Sequence, residues 1–116
     1  MKDVLVQAAG CLGIAAALVH GYLGETRLLT NARIEPSRVR RWLRVILHCS
    51  VVDWAAMGAL LVLAPTIGSA QARIAIIAAS LAVFGFAVIG NAWASRGRHF
   101  GWVWLSAVVA LALAGM

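Results

Sequence analysis

Apolar residues fill four long runs, at residues 4–23, 45–63, 74–93 and 100–114, and polar residues gather in the connectors between them. A helix rises about 1.5 Å per residue, so about 20 apolar residues cross a hydrocarbon core of about 30 Å. The first three runs have that length. The fourth is short, but no charge or proline interrupts it, and we read it as a spanning helix that begins near Arg98. The pattern predicts a single domain over residues 1–116. Its expected fold is all-α, an integral-membrane, up-down bundle of four transmembrane helices. A loop over residues 24–44 joins the first two. Pro36-Ser37 marks the start of the second helix, Asn31 a stop for a first helix that continues beyond the membrane, and Pro65, Gly68 and Ser69 a short turn before the third.

Composition excludes the soluble alternative. The chain is 63% hydrophobic and 12% charged, with a mean hydropathy of +0.91, against roughly 45–50% apolar and 25% charged residues in soluble domains. A net charge of +6 would suggest a nucleic-acid partner in a soluble protein, but its distribution argues otherwise. Arg27, Arg33, Arg38, Arg40, Arg41 and Arg44 lie between the first two runs and Arg96 and Arg98 between the last two, leaving only Lys2 and Arg73 for the other side. Basic residues in short loops mark the cytoplasmic face. Both termini are therefore expected outside, on the periplasmic side of a bacterial inner membrane crossed several times. The partner expected of Arg38, Arg40, Arg41, Arg44, Arg96 and Arg98 is anionic lipid, each nearby charge contributing about 1 kcal/mol. Tyr22, Trp42, Trp93 and Trp102 fall near the same interface, where amphipathic rings settle, and Trp54 lies deep.

Lys2 before an apolar run, with Ala8-Ala9-Gly10-Cys11, has the outline of a lipoprotein signal. Cys11 leaves too short an apolar segment ahead of it and the run continues beyond, so a retained first helix is expected. Cys11 and Cys49 fall on antiparallel helices at depths roughly 12 Å apart, which rules out a disulfide between them. Each is expected to be a small buried residue.

Ala9, Gly13, Ala17 and Gly21 recur every four residues and form a ridge of small side chains. Such ridges let helix backbones approach closely where lipid offers no hydrophobic drive. The ridge can serve packing inside this bundle or contact with a second copy or a larger membrane complex. Gly85 and Gly90 extend the same logic to the third helix.

Ionisable groups inside spans are costly and face a bundle interior, which makes them the candidates for function. They are His20, His48 and Asp53, with Asn91, and with Glu25 and His99 near the Arg-rich interface. Counting from each span's middle places His20 and His48 at one level, about 9 Å toward that interface, where their rings could meet. Three uses follow. They can hydrogen-bond between helices. They can ligate a b-type haem, with Gly21 and Gly24 leaving room for the macrocycle and Arg41, Arg44 or Arg98 meeting its propionates. They can hold a transition metal with His99 and Glu25 or Asp53. Asp53 lies about 140° around the helix from His48, shares a stripe with Cys49 and Met57, and is expected to be buried against His20 or Ser80. It either makes an interhelical hydrogen bond or carries a proton or ion. A first helix that continues through Arg27 turns Glu25 toward an inner-loop arginine or His99. No nucleophile constellation, phosphate loop or paired-carboxylate arrangement is visible, and catalysis has little support in the sequence.

The segment His20-Gly21-Tyr22-Leu23-Gly24-Glu25-Thr26-Arg27-Leu28, followed by a Trp/Arg-rich entry to the second helix and by His48 six residues before Trp54, resembles small four-span bacterial membrane proteins. That resemblance covers the first half of the chain and implies a fold and a location, with no activity to carry over. In size and span count the chain is also similar to small multidrug resistance exporters. Those proteins carry a membrane-embedded Glu in the first helix, whereas residues 4–19 here contain no acid. The function expected from the residues is that of a non-enzymatic accessory or interaction subunit. The alternatives are an electron-transfer or metal protein centred on His20 and His48, and a small proton- or ion-coupled transporter using Asp53.

Overall fold

The computed structural model describes residues 1–116. It is all α-helical: α1 spans Lys2–Leu23, α2 Ser37–Leu63, α3 Ala70–Ser95 and α4 Gly101–Ala114. The sequence boundaries hold to within a few residues at the α1 and α4 ends, and α2 and α3 extend beyond their apolar runs. Pro36 is the residue before α2, and Ser69 caps α3 by accepting a hydrogen bond from the Ala72 amide at 3.3 Å. The chain leaves α1 through a π-helical turn, Gly24–Leu29, and its last turn closes where the Asn31 side chain donates to the Thr26 carbonyl. Arg96 and Gly97 take left-handed backbone conformations at the reversal between α3 and α4, where Gly97 accommodates a φ of 73° without strain.

Three helices are long and apolar enough to cross a membrane. The fourth is not: the 14 residues of α4 rise about 21 Å, less than a hydrocarbon core of about 30 Å. The helices run alternately up and down. Glu25 after α1 meets Arg44 of α2 at one end, while Asp3 of α1, Arg73 of α3 and the Gly115 carbonyl after α4 meet at the other.

The core lies between α1, α2 and α4, with α3 packed chiefly on α4 and reaching α1 through Phe84. Val6, Ala9 and Ala17 of α1 are sealed against Leu61, Ile77, Phe84, Leu105 and Val108. The small-residue ridge packs inside the chain, divided between two neighbours: a Cβ on Gly13 would meet Phe84 of α3 at 2.7 Å, and one on Gly21 would meet Val51 of α2 at 2.9 Å. The tightest helix crossing lies beside that ridge, at Gly10 and Gly58, where a Cβ on either would strike the other's carbonyl oxygen. The expectation for Gly85 and Gly90 fails, since both face open space.

The bundle is unevenly closed. α2 packs along α1 but only sparsely on α3. Only 17% of its most apolar stretch is buried, against 33% in α1 and 22% in α3.

Candidate functional site

The face that α2 turns to α1 is a stripe at alternating spacings of four and three: Leu47, Val51, Trp54, Gly58 and Leu61. Leu47 packs on Gly24, Val51 on Gly21, Trp54 on His20 and Gly58 on Gly10, and Leu61 is fully buried. This stripe decides where every polar residue of α2 points, because neighbours in a helix differ by about 100°.

His20 and His48 do not meet. His48 follows Leu47 and so turns away from α1, with more than half of its side chain exposed and its Nε2 3.8 Å from Glu25 Oε2. The group that His20 does meet is Ser50, whose Oγ lies 3.2 Å from Nε2. Ser50 donates its own proton to the Leu47 carbonyl at 2.7 Å, so its oxygen is left to accept, an arrangement that favours the His20 tautomer with hydrogen on Nε2. The imidazole also lies against Trp54, with ring centroids 4.5 Å apart and planes tilted by 32°, and Trp54 continues to Phe84 at 6.4 Å. A serine and a pair of tilted aromatic contacts thus take the place expected of a second histidine.

The residues do not fit a haem between His20 and His48. Gly21 and Gly24 were to leave room for the macrocycle, and Val51 and Leu47 fill that space: a Cβ on Gly24 would already lie 2.6 Å from Leu47. Nor are three His, Cys, Asp or Glu side chains gathered into a metal-binding group. His99, proposed with them, accepts a hydrogen bond from the Gly101 amide at 3.0 Å, stacks on Phe100 and serves the start of α4.

Glu25 does find one of the arginines that follow it, Arg44, which stands in α2 rather than in a loop. Its carboxylate takes Arg44 Nη2 at 2.7 Å and Nε at 3.2 Å, a two-point pairing that ties the π turn to α2. Arg40 donates to the Ala32 carbonyl, which folds the connector back on α2. Arg38, Arg41, Arg96 and Arg98 are exposed at the same end of the molecule.

Asp53 and the cysteines depart from expectation. Asp53, Cys11 and Cys49 are all exposed. Asp53 precedes Trp54 and is rotated out of the α1 contact. It makes no ion pair within the chain. Ser80, expected as its partner, is fully buried elsewhere and donates to Met57 Sδ at 3.9 Å. Asn91 is half-buried, with its amide donating to the Ala87 carbonyl of its own helix.

A cleft and an open helix face meet at Asp53. The cleft, of about 570 Å³, lies along the open α2–α3 seam, where Ser50, Asp53 and Asn91 supply the polar groups and Trp54 and Phe86 the aromatic ones. The other is a shallow, open trough on the outer side of α2, from Arg41 to Ala56, and all eight residues that line it belong to α2. The trough is the unoccupied face of a single helix.

Sequence reasoning missed Ser50, Gly10 and Gly58, and it missed the ion pair between Asp3 and Arg73 at 2.6 Å. The stripe on α2 was readable as a 4-3-4-3 spacing. Identifying it would have placed Ser50 beside His20 and Asp53 outside. Comparison with protein families, with curated proteins and with solved structures finds no match to this chain.

Proposed function

We propose that the chain is a small multi-pass protein of the bacterial inner membrane that works as an interaction subunit, with the outer face of α2 docking a transmembrane partner. In this reading the Arg-rich end is cytoplasmic, both termini are periplasmic, and the uncharged 14-residue α4, though shorter than the core, completes the bundle as a fourth span over which the bilayer thins. The three membrane-length helices and the charge asymmetry support the location.

One observation carries the docking role. Asp53 stands near the middle of α2, exposed and unpaired, on the least covered of the three long helices. A carboxyl facing lipid at mid-bilayer depth costs about 2.5–3.5 kcal/mol on insertion scales, which is why such groups face protein. A partner helix over this face removes that cost. The test is a photoreactive residue at Val52, on the α2 face, and at Ile89, an exposed position on α3, in cells making the full chain. Val52 should give protein adducts and Ile89 none; a Val52 variant that captures only lipid defeats the reading.

A second reading is favoured by the α2–α3 cleft, where Asp53 stands with Ser50 and Asn91. Small-cation or proton-coupled transport would use that carboxyl as its binding group. Flux into vesicles that is lost in Asp53→Asn and retained in Cys49→Ser would support transport over docking; flux that survives Asp53→Asn removes it.

A further inference from the structure

The trough on α2 has a periodicity that its α1-facing side has already used once. Val45, Cys49, Val52, Ala56, Ala59 and Leu63 repeat at spacings of four and three, are all exposed, and lie on the side of α2 opposite Leu47, Val51, Trp54 and Gly58. Trp42, also exposed, continues the series at the Arg-rich end. An apolar 4-3 repeat is the seam of a left-handed helix pair, the commonest crossing in membranes. α2 thus carries two such seams, and α1 fills one of them.

We infer that the second seam is filled by α2 of a second copy of this chain, in a parallel pair about a two-fold axis along the bilayer normal. The inference rests on the docking role proposed above and names its partner. The orientation follows from charge: both copies must keep their Arg-rich ends on one side, so their α2 helices run parallel. The choice of a second copy follows from register. If Val45 and Val52 occupy the d positions and Cys49 and Ala56 the a positions, then His48 falls at g and Asp53 at e. In a parallel pair, each g residue faces the e residue five positions later on the other helix. His48 is five positions before Asp53. One chain's imidazole therefore faces the other chain's unpaired carboxyl, and symmetry repeats the contact, as an isologous interface requires. Among the exposed ionisable groups of α2, His48, whose Nε2 also lies 3.8 Å from Glu25, and the unpaired Asp53 are the two that this register brings together, and they complement each other; Arg38, Arg41 and Arg44 stand nearer the Arg-rich end. At the seam itself the small side chains of Cys49, Ala56 and Ala59 allow close approach.

The same register places Cys49 against its copy, which supplies the test. Disulfides form only where Cα atoms come within about 7 Å, as at a and d positions. In a Cys11→Ser, Cys49→Ser background, single cysteines at positions 45, 49, 52 and 56 are compared with cysteines at Leu18 and Ile89, exposed on α1 and α3. Mild oxidation in native membranes should give dimer at the α2 positions about tenfold above those controls. His48→Asp sets carboxyls against each other across the pair and should reduce the Cys49 cross-link; adding Asp53→His restores the complementary order and the yield. Equal yields at all positions, or no rescue by the double exchange, overturn the pairing. Protein adducts from the photoreactive Val52 variant that contain only other proteins overturn the second copy and leave the docking role standing. A Val52 variant that captures only lipid overturns both.

Discussion

Gly10 of α1 and Gly58 of α2 meet backbone to backbone: a Cβ on Gly10 would lie 2.5 Å from the Gly58 carbonyl oxygen, and one on Gly58 would lie 2.8 Å from that of Gly10. Ile14 and Val62 flank the contact, so no flexible side chain can yield. Gly58→Ala should force α1 and α2 apart and cost about 1–3 kcal/mol, the usual range for overfilling a packed site. Gly85→Ala is the control, because nothing lies within 4 Å of the added methyl group. There the helix propensity of alanine should add about 0.5–1 kcal/mol. Unfolding in mixed micelles titrated with denaturing detergent reads both, and equal effects would show that the crossing does not depend on glycine.

The His20–Ser50 contact predicts a tautomer. With the Ser50 proton engaged by the Leu47 carbonyl, neutral His20 should carry its hydrogen on Nε2, which nitrogen chemical shifts in the labelled protein resolve directly. Ser50→Ala removes the acceptor and should cost about 0.6 kcal/mol and at most about 1.7, the span measured for hydrogen bonds between membrane helices. A shift pattern with hydrogen on Nδ1 contradicts the assignment.

These two contacts show what could be read from the chain. Helix number and boundaries were legible because apolar run length and turn residues such as Pro36 and Ser69 act locally. The pairing of Glu25 with an arginine was legible because both stand at the Arg-rich end of the bundle. The partner of His20 was not. Depth counting put His48 at its level, but level fixes only one coordinate, and rotation about α2 fixes the other. Rotation is set by which residues α2 gives to α1. Leu47, Val51 and Gly58 make that choice, and it turns His48 and Asp53 outward together. The same rotation explains why Cys49 is exposed.

Haem binding offers a check on that rotation. Because Leu47 and Val51 occupy the space beside Gly24 and Gly21, haem added to the purified protein should give no Soret band that depends on His20 or His48. His20→Ala and His48→Ala should titrate like the unaltered protein. A six-coordinate spectrum lost in both variants would mean that α1 and α2 separate to admit the ligand.

The two ion pairs at opposite ends of the bundle should differ in the weight of their partners. Asp3 is 58% exposed and Arg73 only 25%, and Arg73 also donates to the Gly115 carbonyl at 3.3 Å. Arg73→Gln therefore removes two contacts from a shielded site, whereas Asp3→Asn removes one from an open site. A double-mutant cycle should put the Asp3–Arg73 coupling below about 1 kcal/mol, as for exposed pairs, and weaker in high salt. The Arg73 change alone should exceed the Asp3 change. Glu25 and Arg44, at 35% and 46% exposure, are comparably open and share the two-point contact, and because Glu25 also faces His48 at 3.8 Å, neutralising Glu25 should cost at least as much as neutralising Arg44. Equal costs for Asp3 and Arg73 would show that the Gly115 contact adds nothing beyond the shared pair, and a coupling indifferent to salt would show that the pair is not held by charge.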